Sequence, residues 1–265
     1  MTTSKNGSGT RELEGKRALV TGGSRGIGAA VVRELLDAGA EVLTTARSAT
    51  STLPDGAEFV KADVRTRAGA EEIAAAARDA FGGVDIIVHN AGGGQPHKDG
   101  SSIPDDAWQD ALDLNFLASV RLDALLTPGM RERRDGRIVH VSSAAVLTPM
   151  GPFLHYTAAK AALENYSRGL AQELAPFGIR VNVVSPGRVT TPGGEETRER
   201  WANMTAASMP DQTAATAVGA KDTTPLGRDG LPDDIAQAVL YMVSDRASWL
   251  TGTNLHLDGG EFPRG

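Results

Sequence analysis

Short, uninterrupted apolar runs alternate with longer amphipathic stretches along most of this chain. RALVT (17–21), EVLTT (41–45), FVKA (59–62), DIIVH (85–89), IVHVS (138–142) and RVNVV (180–184) predict strands. Between them, helical spacing of apolar positions covers about 26–38, 68–81, 105–133 and 153–175. Strands that alternate with helices of ten or more residues indicate βαβ units and a parallel sheet. The strand runs are apolar throughout, not alternating, as expected when helices cover both sheet faces. The predicted fold class is α/β, a doubly wound parallel sheet in one domain. In such folds ligands bind beyond the C-terminal ends of the strands, so chemistry is sought there.

Composition narrows the picture. A chain of 265 residues, 40% hydrophobic, can bury one full core, and no Pro/Ser-rich linker divides it. Residues 1–15 are polar and are expected to form an extension outside a domain of 16–265. They lack the apolar core of a secretory signal, and no apolar run reaches the ~20 residues that cross a bilayer. With no cysteine, disulfide and thiolate chemistry are excluded, which fits a cytoplasmic protein. A net charge of -6 argues against a nucleic-acid partner.

Two clusters carry candidate chemistry. Directly after the first strand, Thr21, Gly22, Gly23, Ser24, Arg25, Gly26, Ile27 and Gly28 open a helix. Glycines there let backbone N–H groups and a helix N-terminus approach a pyrophosphate. The second cluster is Tyr156 and Lys160, one helical turn apart. A phenol works poorly as an acid or base near neutrality, and an adjacent cation is expected to lower its pKa. His155 precedes the tyrosine and suits a pocket or helix-start role; His89 and His140 fall within strand patterns, and no spacing of His97 and His256 suggests a metal.

TGGSRGIG, Asn90-Ala91-Gly92, Ser143, YTAAK and Pro186-Gly187, in this order, resemble the short-chain dehydrogenase/reductase family over about residues 13–260. The resemblance implies a Rossmann-like fold, an NAD(P)-dependent oxidoreductase and a homotetramer or homodimer. It assigns Asn115, Ser143, Tyr156 and Lys160 to catalysis, with Ser143 orienting the substrate oxygen and Asn115 positioning a water near the lysine. Gly22, Ser24, Arg25, Gly26, Ile27, Gly28, Asp63, Val64, Asn90, Ala91, Gly92, Tyr156, Lys160, Pro186, Gly187, Val189 and Thr191 fall on its cofactor contacts. Asp63 is alternatively a helix N-cap, Ser143 a turn cap, and Gly93-Gly94 a source of loop flexibility. NAD-selective folds place a carboxylate after the second strand; Ala46 and Arg47 stand there instead. Arg25 and Arg47 are therefore expected to fork a 2′-phosphate, giving NADP(H) as the preferred cofactor.

The segment 190–225 is expected to form a lid whose apolar face carries Trp201, Met204 and Met209, or else a subunit contact. The expected reaction is hydride transfer between the nicotinamide and a ketone or secondary alcohol, with Tyr156 as general acid/base. The alternative is a 3-oxoacyl thioester reductase acting on acyl carrier protein or CoA substrates. Many relatives of that kind meet their acidic partner with two basic residues; Arg134 matches one and Phe177 replaces the other. A third reading, a non-catalytic NADPH-binding regulator, conflicts with the intact Ser/Tyr/Lys set.

Overall fold

A computed structural model describes residues 11–48, 53–208 and 224–262. Strands β1 (Arg17–Thr21), β2 (Glu41–Ala46), β3 (Glu58–Lys61), β4 (Ile86–His89), β5 (Gly136–Val141), β6 (Ile179–Pro186) and β7 (Asn254–Leu257) form one sheet ordered β3-β2-β1-β4-β5-β6-β7. Every pairing is parallel. The order reverses between β1 and β4, which opens a crevice at their C-terminal ends.

Helices α1 (Gly26–Asp37) and α7 (Pro232–Val243) pack together on one face. Helices α2 (Arg67–Phe81), α4 (Ala118–Arg133) and α5 (Leu154–Leu174) cover the other. Successive strand residues enter opposite cores: Ala18 and Val20 join the α1/α7 side and Leu19 the α2/α4/α5 side, a division repeated by Ile86, Val88 and Ile87. Both layers are apolar, which is why the strands read as continuous hydrophobic runs. Among the described residues no helix is long and apolar enough to cross a membrane.

The predicted helix over 105–133 is interrupted. It divides into α3 (Asp105–Leu112), a π-helical turn (Asp113–Leu117) and α4. The cause is Asn115, whose side-chain amide donates to the Ala111 carbonyl at 3.0 Å and competes with the backbone ladder. Two further elements, α7 and β7, lie in the C-terminal part, where no strand or helix is predicted from the sequence. The signals for α7 are nonetheless present: Pro232 at its first position, Asp233 and Asp234 in its first turn, and Ile235, Val239 and Val243 one turn apart. β7 is four residues long and only partly buried, so its pattern is weak.

The N-terminal boundary also moves. Leu13, placed in the polar extension by its neighbours, is 2% exposed and belongs to the α1/α7 core. Its N–H donates to the Ala38 carbonyl at 2.8 Å. Residues 1–10 lie outside the described residues.

Buried polar side chains tie the helices to the sheet. Asp123 of α4 accepts from Nε2 of His89 at 2.8 Å, from Nε2 of His140 at 3.3 Å and from the Tyr166 hydroxyl at 3.1 Å. The two imidazoles stack at 4.8 Å, and their donors hold the carboxylate well below the usual range against its burial. These side chains are close enough to hold a metal ion, but the hydrogen bonds already satisfy the carboxylate. Both histidines lie on the strands that the sequence pattern predicts.

Leu13→Ala should lower the unfolding free energy by about 2–4 kcal/mol, the range for a buried leucine left as a cavity. Urea titration would check it. A change under ~0.5 kcal/mol would mean that Leu13 lies outside the cooperative core.

Candidate active site

The glycine loop follows from β1 and is fixed by its neighbours. Gly22 has φ +70° and Gly26 φ +56°, the left-handed region where side chains are strained. A Cβ on Gly28 would lie 2.2 Å from the Gly22 carbonyl oxygen, so the helix can start this close to the strand only with glycine there. Asn90 clamps the loop from β4: its Nδ2 donates to the Thr21 and Gly22 carbonyls at 3.0 and 3.2 Å. The Thr21 hydroxyl accepts from the N–H groups of Asn90 and Ala91. Asn90 and Ala91 thus brace the loop, a supporting role in which Thr21 is an equal partner. Ser24 is buried and Ile27 packs on the α1/α7 core. Helix α1 starts after Arg25 without a side-chain cap, leaving its first N–H groups directed past the strand ends. This cradle of backbone donors, with no room for a Cβ at Gly28, fits a dinucleotide pyrophosphate.

The remaining predicted contacts are dispersed around this crevice. β2 ends at Ala46, so no carboxylate stands there, and Arg47 is exposed. Arg47 lowers the Asp63 pKa, though less than Arg65 does. Asp63 is engaged by Arg65, whose Nη2 donates at 2.7 Å and which is the main cause of its depressed pKa. Thr66, not Asp63, is the N-cap of α2, its hydroxyl accepting from Gly69 N–H at 2.9 Å. Val64 is buried in the α2/α4/α5 core. Arg25 pairs with Glu196 at 3.0 Å across to α6 (Pro192–Ser208).

The segment after β6 returns to the same place. Pro186 ends β6, and Gly187 donates to the Leu257 carbonyl at 2.9 Å. A Cβ on Gly187 would sit 2.6 Å from that of Asp258. Val189 is buried and bridges to Gly230. Thr191 faces Gly26, and its hydroxyl accepts from Gly194 N–H at 3.0 Å, opening α6. In α6, Trp201 packs on Phe153 with ring centroids 5.9 Å apart. Met209 lies outside the described residues.

Asn115, Ser143 and the Tyr156/Lys160 pair come from three segments, the π-turn, the turn after β5 and α5, and converge beyond β4 and β5. Asn115 is buried; its Oδ1 accepts from Gly93 N–H and its Nδ2 donates to the Gly93 carbonyl, both at 2.9 Å. A Cβ on Gly92 would meet Asn115 Oδ1 and Lys160 Nζ, each at 2.9 Å. One on Gly94 would lie 2.7 Å from the Tyr156 Cβ. The glycines after Asn90 therefore permit close approach; the loop flexibility anticipated for Gly93-Gly94 gives way to a clamped backbone. Ser143 caps a short 3-10 turn, accepting from Ala145 N–H at 3.2 Å. Lys160 Nζ donates to the Val141 carbonyl at 2.7 Å.

The electrostatics differ from the sequence-based expectation. Burial pushes the Tyr156 phenol above its ordinary pKa, and the neighbouring Ser143 hydroxyl pulls the other way. Burial also pushes the lysine down, to about 8, with Glu164 opposing. The expected lowering of the phenol by the lysine is not found: burial and the Ser143 hydroxyl set the shift of the phenol, and desolvation penalises the charged form of each group. His155 is buried edge-on to His97 and Trp108, and burial lowers its pKa. Sequence reasoning passed over Glu164, one turn beyond the lysine.

A family model described as "Enoyl-(Acyl carrier protein) reductase" matches residues 22–261. The chain is 35% identical to a 3-oxoacyl-[acyl-carrier-protein] reductase of Vibrio cholerae, over 94% of this chain and 98% of that one. It is 34% identical to an L-fucose dehydrogenase of Bos taurus, over 95% and 91%. Among solved structures, L-sorbose reductase from Gluconobacter frateurii, complexed with NADPH and L-sorbose, is 30% identical, with a TM-score of 0.81 over 97% of this chain and 100% of that one. The glycine-loop crevice, the converging Ser/Tyr/Lys set and these similarities identify the chain as a member of the short-chain dehydrogenase/reductase family, an NAD(P)-dependent oxidoreductase acting on CH–OH and C=O groups.

Proposed function

We propose that this enzyme is an NADP(H)-dependent ketone reductase or secondary alcohol dehydrogenase in which Tyr156 is the general acid/base. The convergence of Ser143, Tyr156, Lys160 and Asn115 beside the glycine loop is the observation that carries the reading. The dinucleotide, when bound, supplies or accepts the hydride, and the chain supplies placement and charge. The backbone donors of 22–28 hold the pyrophosphate, and Pro186, Gly187, Val189 and Thr191 hold the nicotinamide end. Ser143 donates to the substrate oxygen and turns it toward Tyr156. Tyr156 gives its proton to that oxygen in reduction and takes it back in oxidation. The raised pKa keeps the phenol protonated, as reduction requires. Lys160 releases the Val141 carbonyl to hold the cofactor ribose, while Asn115 holds a water that returns the proton to solvent.

Ala46 and Arg47 after β2 support NADP(H) over NAD(H): no carboxylate repels a 2′-phosphate, and an exposed guanidinium is at hand. Arg25 joins it once exchanged from Glu196. For residues 190–208 the contact of Trp201 with Phe153 supports a lid, the alternative being a subunit contact. We place the enzyme in the cytoplasm as a homotetramer or homodimer; fully exposed Trp249, with Tyr241 and Leu255, offers apolar surface for association.

A second reading, reduction of 3-oxoacyl thioesters, is favoured by one observation besides the relatives. Phe177, standing where a docking arginine is expected, carries Arg131 over its ring at 5.0 Å, and Arg134 donates to the adjacent Pro176 carbonyl at 2.6 Å. Two cations therefore share this surface despite the substitution. NADPH oxidation with an acetoacetyl thioester and with free ketones separates the two readings.

Tyr156→Phe should lower kcat by about 10²–10⁴-fold and leave the NADPH Kd within a few-fold of wild type. Steady-state rates with fluorescence titration of NADPH check this, and full activity refutes the acid/base role. Arg47→Ala should weaken NADPH binding by about tenfold or more, the loss of a charged hydrogen bond, while NADH binding stays unchanged. Parallel Kd measurements decide it; an unchanged ratio removes Arg47 from phosphate recognition.

A further inference from the structure

Glu164 is a carboxylate where the family resemblance assigns nothing, and it is 7% exposed. It stands one turn beyond Lys160 on α5. Its Oε1 accepts from the Ser142 hydroxyl at 2.7 Å, and the Ser185 hydroxyl lies 3.2 Å from the same oxygen. Ser185 in turn lies 2.8 Å from the Asn254 side-chain amide. The residue after β5 and strand β6 thus each bring a serine to one buried carboxylate, with β7 behind Ser185. Burying such a charge is unfavourable without a partner of opposite sign. Lys160, itself 3% exposed, is the buried cation on the next turn of the same helix; its Nζ donates to the Val141 carbonyl, and Glu164 acts on its charge through space without a direct ion pair. Apolar side chains could fill this space at lower desolvation cost, so packing alone does not account for an acid held by two serines.

We infer that Glu164 is a positioning residue that keeps Lys160 protonated at the working pH, with Ser142 and Ser185 holding its carboxylate in place. This rests on the reading of Tyr156 and Lys160 as the working pair. The other groups facing Lys160 cannot take over. Tyr156 is neutral and on the opposite side along the helix. His140, on β5, is kept neutral by burial, and its partner Asp123 on α4 is filled by His89, His140 and Tyr166. Burial alone pushes the lysine down toward neutrality, where it would lose its charge, and Glu164 opposes that fall. Because an ammonium is needed both to hold the ribose and to stabilise a phenolate, its loss would disable reduction and oxidation together.

The test is a pH titration of lysine Cε resonances in the full-length protein labelled with 13C-lysine, with Lys160 assigned through Lys160→Arg. In Glu164→Gln the Lys160 midpoint should fall by about one to two units, as expected for removing a unit charge about 6 Å away in a partly screened interior. Glu164→Asp should restore most of it. The alkaline fall in NADPH affinity should move to lower pH in step, leaving affinity at pH 6 close to wild type. A midpoint unchanged in Glu164→Gln, or an equal loss of NADPH affinity at every pH, would overturn the inference and leave Glu164 a packing residue. Should Glu164→Gln not fold, Glu164→Met, which keeps the volume without the charge, is titrated in its place, and an unchanged Lys160 midpoint there overturns the inference as well. If instead Lys160→Ala binds NADPH and turns over like wild type, the reading of the Tyr/Lys pair itself fails.

Discussion

The site depends on the reversal of strand order between β1 and β4. A parallel sheet wound outward in both directions leaves a crevice at that point, because the connections on its two sides leave in opposite directions. Thr21 and Asn90 convert the crevice into a fixed cradle, the hydroxyl binding two N–H groups of the β4 end and the amide binding two carbonyls of the glycine loop. The glycine loop, the Gly92–Gly94 backbone and the Tyr/Lys helix are all placed relative to that tie. The requirement for glycine at 28 and at 94 follows from the closeness it enforces.

A second constraint is electrostatic. The tyrosine and the lysine lie where desolvation opposes both a phenolate and an ammonium, so their protonation depends on short-range partners. Ser143, Glu164 and the Val141 carbonyl supply them. Asn115 links the two constraints: the side chain that disrupts the helix into a π-turn is the one that clamps Gly93, with Lys160 within reach of Gly92. A locally unfavourable residue is retained at the point where the helix must present an amide to a loop.

The parts legible in the sequence were those with a local signature. Six strands and four helical regions stand close to their predicted positions because each is marked by a run, a period or a terminal signal. The long helical region was read without its interruption, since one Asn among helix formers shows only a mild preference and says nothing of what it will bind. Leu13 escaped because a single apolar residue in a polar run carries no period; only packing against α1 and α7 reveals it as core. Four residues of an edge strand, β7, gave too little pattern to read.

The sequence by itself determined the α/β alternation, the family and the identities of the residues beyond the strand ends, because these depend on periodicity and on spacing along the chain. Only the tertiary structure decided how those residues are charged and held. It showed burial moving Tyr156 and Lys160 in opposite directions, and His89 and His140 joining on Asp123. The same is true of Glu164, whose two serine partners lie more than twenty residues away in the chain. Desolvation and hydrogen bonding depend on distances through space between elements remote in sequence, and no period or motif along the chain encodes them.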